Sequence, residues 1–372
     1  MMEEKWTTYP VVVEIITPVI INTGEVYECG ELFYDENVKR LYQLRVDNLL
    51  AAMNKEEADR FVRIVSTGVT QRNPIQFHEQ MKLVSTVIGK HPDQLRNIIA
   101  RPMGFTENGQ RMFSKKPWSE VSKIMTRKFN EKPYLPGSSI KGALRTAILE
   151  QMRGVQDSDG SKYTVVHSQG MYTKYIKSQE LDAKILSDNN WARFDIKSDP
   201  FKFIRVSDFD FSSPQAKVIL GQVSITTHAE PIEYYTGMSE ATCLGEECMY
   251  AEGSISISSR IKETALKSFF SVDAIFHAVD EFYFAAYNNH REKLPISVAT
   301  TMDKLLQPYV DNRKPLLRLG KYNGIENKTY NIDRDSDIRP KMPQDANKTG
   351  TSSCATVNGR YLPGYCVIYK KK

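Results

Sequence analysis

The sequence predicts an α+β protein, and three observations carry that assignment. Strand-like runs open the chain ("YPVVVEIITPVII", 9–21) and close it ("NGRYLPGYCVIYK", 358–370). Helical periodicity dominates two long stretches, from Asp47 to about Lys128 and from Lys262 to about Lys293. Strand-like segments return between them ("FKFIRVSDFDF", 201–211; "KVILGQVSITTHAEPIEYYTG", 217–237), so strands and helices come in runs rather than in strict alternation.

Taken in order, "ELFYDENVKRLYQLRV" (31–46) reads as two strands around a turn at Asp35, Glu36 and Asn37. Asp47 is a suitable N-cap for "NLLAAMNKEEADRFVRIV"; "PIQFHEQMKLVSTVIGK" and "HPDQLRNIIARPM" continue the helical pattern between proline breaks. Residues 47–128 therefore read as a helical insertion in a domain that contains strands. In "PYLPGSSIKGALRTAIL" (133–149), Pro136 and Gly137 break the chain, and Ile140, Ala143, Leu144, Ala147 and Ile148 then mark one apolar face of a helix from Ser139 to about Met152. A polar insert follows over 154–202. After "EGSISISSRI" come the long helix from Lys262 and a shorter one from Ile296 to Val310, then a polar stretch, "LLRLGKYNGIENKTYNI", and the closing strand. The predicted domains are 1–215 and 216–372, with no repeat of fixed period.

Composition limits the function classes. A chain of 372 residues is long for one core. Cys29, Cys243, Cys248, Cys354 and Cys366 form no CxxC pair, which argues against a disulfide framework or a zinc site and suits a reducing cytoplasm. Acidic residues at the start and the interruptions at Glu14 and Pro18 argue against a signal peptide or a membrane span. The net charge is only +5, so a polyanion site must come from local clustering. Such a cluster exists: Arg111, Lys115, Lys116, Lys123, Arg127, Lys128, Lys132, Lys141 and Arg145 face only Glu120 and Glu131 in the same segment. A charge run also suits a solvated face. Its coincidence with a Gly-Ser-Ser helix start and with Phe113, Trp118, Phe129 and Tyr134 favours unpaired nucleic acid.

Enzyme signatures are weak. "GSSIKGALR" has Ala143 where a P-loop needs Lys after its second glycine. His78, His91, His167, His228, His277 and His290 form no metal-binding pair. Asp208 and Asp210 share one strand face and could flank a metal, although a solvated strand edge explains them more simply. No cofactor or metal site is predicted.

"TPVIINTGE", "YLPGSSIKGALRTAI", "FIRVSDFDF" and "LRLGKYNGIENKTYN", in this order, resemble the RAMP superfamily of CRISPR RNA-binding proteins over about residues 9 to 368. The late "RLGKYNG" resembles the end-capping subunits of type III-A (Csm-type) effector complexes. The resemblance implies ferredoxin-like, RNA-recognition-like βαββαβ architecture, duplicated, with the Gly-Ser-Ser helix as its first core helix. It also implies that Gly137, Ser138, Ser139, Lys141 and Arg145 hold the phosphates of guide RNA. Thr23, Gly24, Gly320 and Gly324 would leave room for the strand, with Arg318, Lys321 and Lys328 as countercharge. The implied partners are guide RNA, target RNA, backbone paralogues and a host trimming nuclease. In the backbone paralogues an Asp after the first strand cuts target RNA; here that region reads "NTGEVYECGELFYDE", and Glu25, Glu28 and Asp35 do not match it. A guide-binding, end-capping subunit that supports guide maturation is thus expected rather than an enzyme. A guide-processing or target-cleaving endoribonuclease, with His167 as a conceivable base, is the alternative.

Overall fold

The computed structural model describes residues 4–28, 30–67, 75–105, 120–128, 131–157, 185–186, 197–212, 218–227, 235–242, 249–292, 294–323 and 353–371. Its centre is β1 (Trp6–Ile15), whose Val11–Ile15 half is buried. This β-branched run fits the middle of a sheet, and it pairs antiparallel with both β12 (Met249–Ser258) and β15 (Tyr365–Lys370). The sheet continues to β8 (Ile204–Val206), β9 (Phe209–Phe211) and β7 (Tyr134–Leu135) beyond β12, and to β13 (Leu316–Arg318) beyond β15. Helices α5 (Gly137–Asp157) and α6 (Val272–Arg291) cover it. Ile140, Leu144 and Ile148 of α5 and Ile275, Val279 and Phe282 of α6 share one core with Val11, Val13, Ile255 and Ile257. Followed along the chain, β1–α5–β8/β9–β12–α6–β13/β15 is a βαββαβ circuit with the spatial order β15-β1-β12-β9.

Glu14, on β1, is 3% exposed. Its carboxylate accepts from Tyr309 Oη at 2.8 Å, Lys314 Nζ at 3.2 Å and Tyr369 Oη at 3.3 Å, which supplies the partners a buried charge requires.

The excursions between these core elements build a second sheet, ordered β2-β6-β11-β10-β5-β4-β3 with β14 (Ser353–Val357) on β10. Its strands are β2 (Asn22–Val26), β3 (Leu32–Asp35), β4 (Arg40–Leu44), β5 (Ile99–Phe105), β6 (Val121–Ile124), β10 (Val218–Thr227) and β11 (Tyr235–Thr242). The β3–β4 hairpin turns where the sequence predicts, with Asp35 Oδ1 accepting the Asn37 N–H at 2.9 Å. Each sheet draws strands from both sides of residue 215, so that position separates no two sheets.

Residues 47–128 are more mixed than a helical insertion. They hold α2 (Lys55–Thr67), α3 (Ile75–Lys90) and the short α4 (Leu95–Ile98), but also β5 and β6. "IARPM" is strand rather than helix, because it pairs with β4, which no local pattern reveals. Asp47 is not a cap. It lies in the first turn of α1 (Val46–Ala52), whose N-cap is Arg45. The capping box falls later: Asn54 Oδ1 accepts the Glu57 N–H at 2.9 Å while Glu57 Oε2 accepts the Asn54 N–H at 3.0 Å. The helix predicted from Lys262 begins at Val272, after 3-10 turns at Ser259–Glu263 and Lys267–Phe269. The second predicted helix is α7 (Ile296–Asp311). Most of the polar insert, His167 included, lies outside the described residues. No described helix is long and apolar enough to cross a membrane.

Candidate nucleic-acid interface

The start of α5 already holds an anion, and it belongs to the protein. Asp208 Oδ1 accepts the Gly137 N–H at 2.9 Å, while Pro136 O accepts the amides of Ser139 and Ile140 at 3.0 and 3.3 Å. A carboxylate at this end is favoured by the helix dipole and leaves little for a phosphate to gain from these amides. Arg127 holds Asp208 in place, bonding Asp208 Oδ2 at 2.8 Å and Asp210 Oδ1 at 2.9 Å, with its guanidinium 4.0 Å from the centre of the Tyr134 ring. The two aspartates thus serve a cation and a helix cap. Among the described residues no group of three acidic, His or Cys side chains could hold a metal ion.

Gly137 is required by the protein itself. A Cβ there would lie 2.4 Å from the carbonyl oxygens of both Val206 and Ser207, so the glycine lets α5 close on the β8–β9 corner. Ser138 is exposed beside it. The cationic segment is likewise largely neutralised where described. Lys123 pairs with Glu31 at 2.9 Å, Arg127 with the two aspartates, and Arg145 with Asp199 at 2.7 Å. Arg111, Lys115, Lys116, Phe113, Trp118 and Phe129 lie outside the described residues.

The faces of α5 divide its predicted ligands. With 3.6 residues per turn, Ser139, Gly142, Ala143 and Thr146 fall on one side and Lys141 and Arg145 on the other. Arg145 packs 4.4 Å from the Phe201 ring, and Asp199 also caps the 3-10 turn Pro200–Phe203, accepting the Phe201 N–H at 2.9 Å. Burial lowers the Lys141 pKa, opposed by Asp199 and reinforced by Arg145 and Arg205.

The Ser139 side opens on a cleft of about 420 Å³. Opposite α5 stand Ile21 and Asn22 at the start of β2, Tyr283 of α6, and the loop Arg318–Asn323 after β13. This loop is pinned by its glycine. Gly320 adopts φ +87°, a Cβ there would meet Ile20 O at 2.3 Å, and the Lys321 N–H donates to the same carbonyl at 2.7 Å. Tyr283 Oη donates to Ala143 O at 3.3 Å, tying α6 to the cleft floor.

Of the two cations lining the cleft, only Lys321 is exposed. Arg318 is 1% exposed, against its expected role as countercharge. Its Nε donates to Pro363 O at 3.0 Å and its Nη2 to Tyr322 O at 3.4 Å, so it builds the loop from within. Thr23 and Gly24 are exposed on β2, an edge strand, just beyond the cleft. Gly324 and Lys328 lie outside the described residues.

Three of the segments that the resemblance singles out meet at this cleft, together with residues outside that set. Asn22 and Asn323 belong to the two glycine-bearing segments, whereas Ala143, Thr146 and Tyr283 line the cleft without a local signal. Gly142 carried one. It is exposed inside a helix with nothing within 4 Å of where its Cβ would stand, although glycine there costs about 0.5–1 kcal/mol relative to alanine. Protein packing does not require it, and the cleft beside it gives a reason.

Three comparisons bear on this arrangement. A model of the RAMP superfamily matches residues 12–338. A protein of Methanocaldococcus jannaschii described as CRISPR system Cms protein Csm5 is 23% identical over 205 residues, 55% of this chain and 43% of that protein, so the match spans less than half of that relative. The fold is similar to a chain in the cryo-EM structure of a Csm–crRNA–target RNA ternary complex of a type III-A CRISPR-Cas system, with a TM-score of 0.67 and 16% identity over 98% of this chain and 100% of that one. It is also similar to the crystal structure of T. onnurineus Csm5, with a TM-score of 0.54 and 15% identity over 96% of this chain and 99% of that one.

Proposed function

The chain belongs to the RAMP superfamily, and from that premise we propose that it is the guide-RNA-binding end subunit of a type III-A CRISPR effector complex. The observation that carries the proposal is the cleft. It gathers the start of β2, the glycine-bearing face of α5 and the Gly320 loop, three segments far apart in sequence, around a concave polar surface with one exposed cation. Serine, threonine and asparagine side chains there can bond ribose and phosphate oxygens without reading bases, and Gly142 leaves room for a backbone to lie close. The Csm5 relative and the similarity to a chain of an RNA-bearing Csm complex support this reading.

In this role the chain contacts guide RNA, the backbone paralogues of the same complex and, through the guide, target RNA. Capping requires one face that docks on a repeating paralogue and one that refuses a further copy, since heterologous contacts that do not close grow into filaments. Strands β3 to β6 with α1 to α4, which lie outside the βαββαβ circuit, supply the bulk to end the repeat. Recruitment of a trimming nuclease belongs to the same proposal. We favour binding over cleavage because Asp208 and Asp210, the acidic pair nearest the α5 start, are committed to Arg127 and Gly137.

The direct test is binding of the 3′ segment of guide RNA to the purified chain and to Gly142→Met, which fills the cleft from an open position. A loss of affinity in the folded variant supports the site; unchanged affinity removes it. Repeat RNA left uncut, with and without chelator, separates this reading from a processing nuclease. In a deletion strain the remaining complex should assemble, and its guide RNAs should carry altered 3′ ends.

A further inference from the structure

On the far side of α5 from the cleft, a second cationic strip runs along one end of the first sheet. Strand β8 carries Arg205, whose guanidinium lies 4.0 Å from the centre of the Trp6 ring on β1. The 3-10 turn before β8 carries Lys202 and the one after β12 carries Arg260, each 5.2 Å from the centre of the Phe203 ring. Lys262 lies 4.9 Å from the ring of Phe270, which is 52% exposed. Sheet register makes the strip continuous: Arg205 stands opposite Ser256, and Ser258 opposite Trp6, immediately before the turn that bears Arg260 and Lys262.

Lys202, Arg205, Arg260 and Lys262 are all exposed, and none has a carboxylate partner among the described residues. This sets them apart from Lys123, Arg127 and Arg145. Of the nearby carboxylates, Asp199 is bound to Arg145, while Glu4, which accepts from the Ser258 hydroxyl at 3.0 Å, and Glu263, an exposed neighbour of Lys262, offset part of the charge without pairing with any of the four. Lys141 on the flank of α5 is close enough to feel Arg205 as a like charge, although burial and the opposing charge of Asp199 act on it more strongly.

We propose that this strip binds a single-stranded polynucleotide, as a contact separate from the cleft. Four cations without carboxylate partners among the described residues supply countercharge for phosphates, and a guanidinium over an indole, with a half-exposed phenyl ring nearby, supplies surfaces on which unpaired bases stack. An acidic protein segment would use the charge but not the stacking planes. The identification of the polynucleotide as RNA rests on the proposed function; the site does not, since it shares no residue with the cleft.

Trp6 is the natural reporter. With Trp118 and Trp191 replaced by phenylalanine, the full chain keeps Trp6 as its single tryptophan. A 12-nucleotide oligouridylate should quench Trp6 emission. Arg205→Ala with Arg260→Ala should weaken that titration at least several-fold and flatten its salt dependence by about 0.7 per lost phosphate contact. Lys202→Ala with Lys262→Ala, which leaves the Arg205–Trp6 pair intact, should act in the same direction. Gly142→Met should leave the Trp6 titration unchanged, which separates failure of the cleft from failure of the strip. The proposal is overturned if both double variants bind as the parent does, or if oligoglutamate of equal charge quenches Trp6 with equal affinity.

Discussion

The carboxylate of Asp208 accepts the backbone N–H of Gly137 at 2.9 Å, across 71 residues of sequence. The helix start that invites an outside anion is closed by one from the β8–β9 corner, and Arg127 balances the charge. Asp208→Ala should destabilise the fold by about 1 kcal/mol, in the range of a lost N-terminal cap, because the side chain is 41% exposed and water can replace part of the bond. Asp208→Asn should retain most of that stability. Urea unfolding of the two variants checks it, and equal losses would contradict the importance of the Gly137 bond.

The two glycines of the α5 start should respond oppositely to alanine. Gly137→Ala forces a methyl against the Val206 and Ser207 carbonyls and should cost about 1–3 kcal/mol, as overpacking does. Gly142→Ala meets open space in a helix and should raise stability by about 0.5–1 kcal/mol. Thermal melts of both variants give the signs directly.

Arg145 and Lys141 should separate in the same way. Arg145 and Asp199 are each about one-fifth exposed, so Arg145→Ala should cost about 1–3 kcal/mol by stranding a charge-assisted bond. Lys141 has no such partner among the described residues. The double alanine variant should therefore lower the salt slope of RNA binding by no more than about 0.7, the value of one single-strand contact rather than two. A fall of twice that size would mean that Arg145 leaves Asp199 to bind RNA.

Acid stability should depend on Asp303. Arg291 hydrogen bonds lower its pKa, burial opposes this, and Tyr287 adds a further bond. A carboxylate depressed on folding stabilises fully above its unfolded pKa, near 4, and loses that contribution as pH falls through the lower folded value. Asp303→Asn should reduce stability at pH 7 and flatten the decline below pH 4. Denaturant midpoints across pH 2.5–7 test this, and an unchanged acid limb in the variant would refute it.

Local pattern was enough for much of the architecture. The spacing of Ile140, Leu144, Ala147 and Ile148 marks α5, and all four are fully buried. Asp35 and Asn37 mark the β3–β4 turn, and the Gly320 loop was singled out by the family resemblance of "RLGKYNG". Periodicity reports such features because a helix face or a turn is set by residues a few positions apart. The sequence by itself therefore determined an α+β chain and its principal helices, and its family resemblance pointed to the three segments that meet at the cleft.

Tertiary structure decided what those segments do. That "IARPM" is a strand depends on β4, and that Arg318 is internal depends on Pro363 and Tyr322 closing over it. That Arg145 is spent on Asp199, while Arg205 and Arg260 remain without carboxylate partners among the described residues, follows from which elements pack beside each cation. A charge in a sequence has no partner until the fold supplies one. The energy of an ion pair falls off over a few ångströms, and those distances are fixed by contacts between residues far apart in the chain.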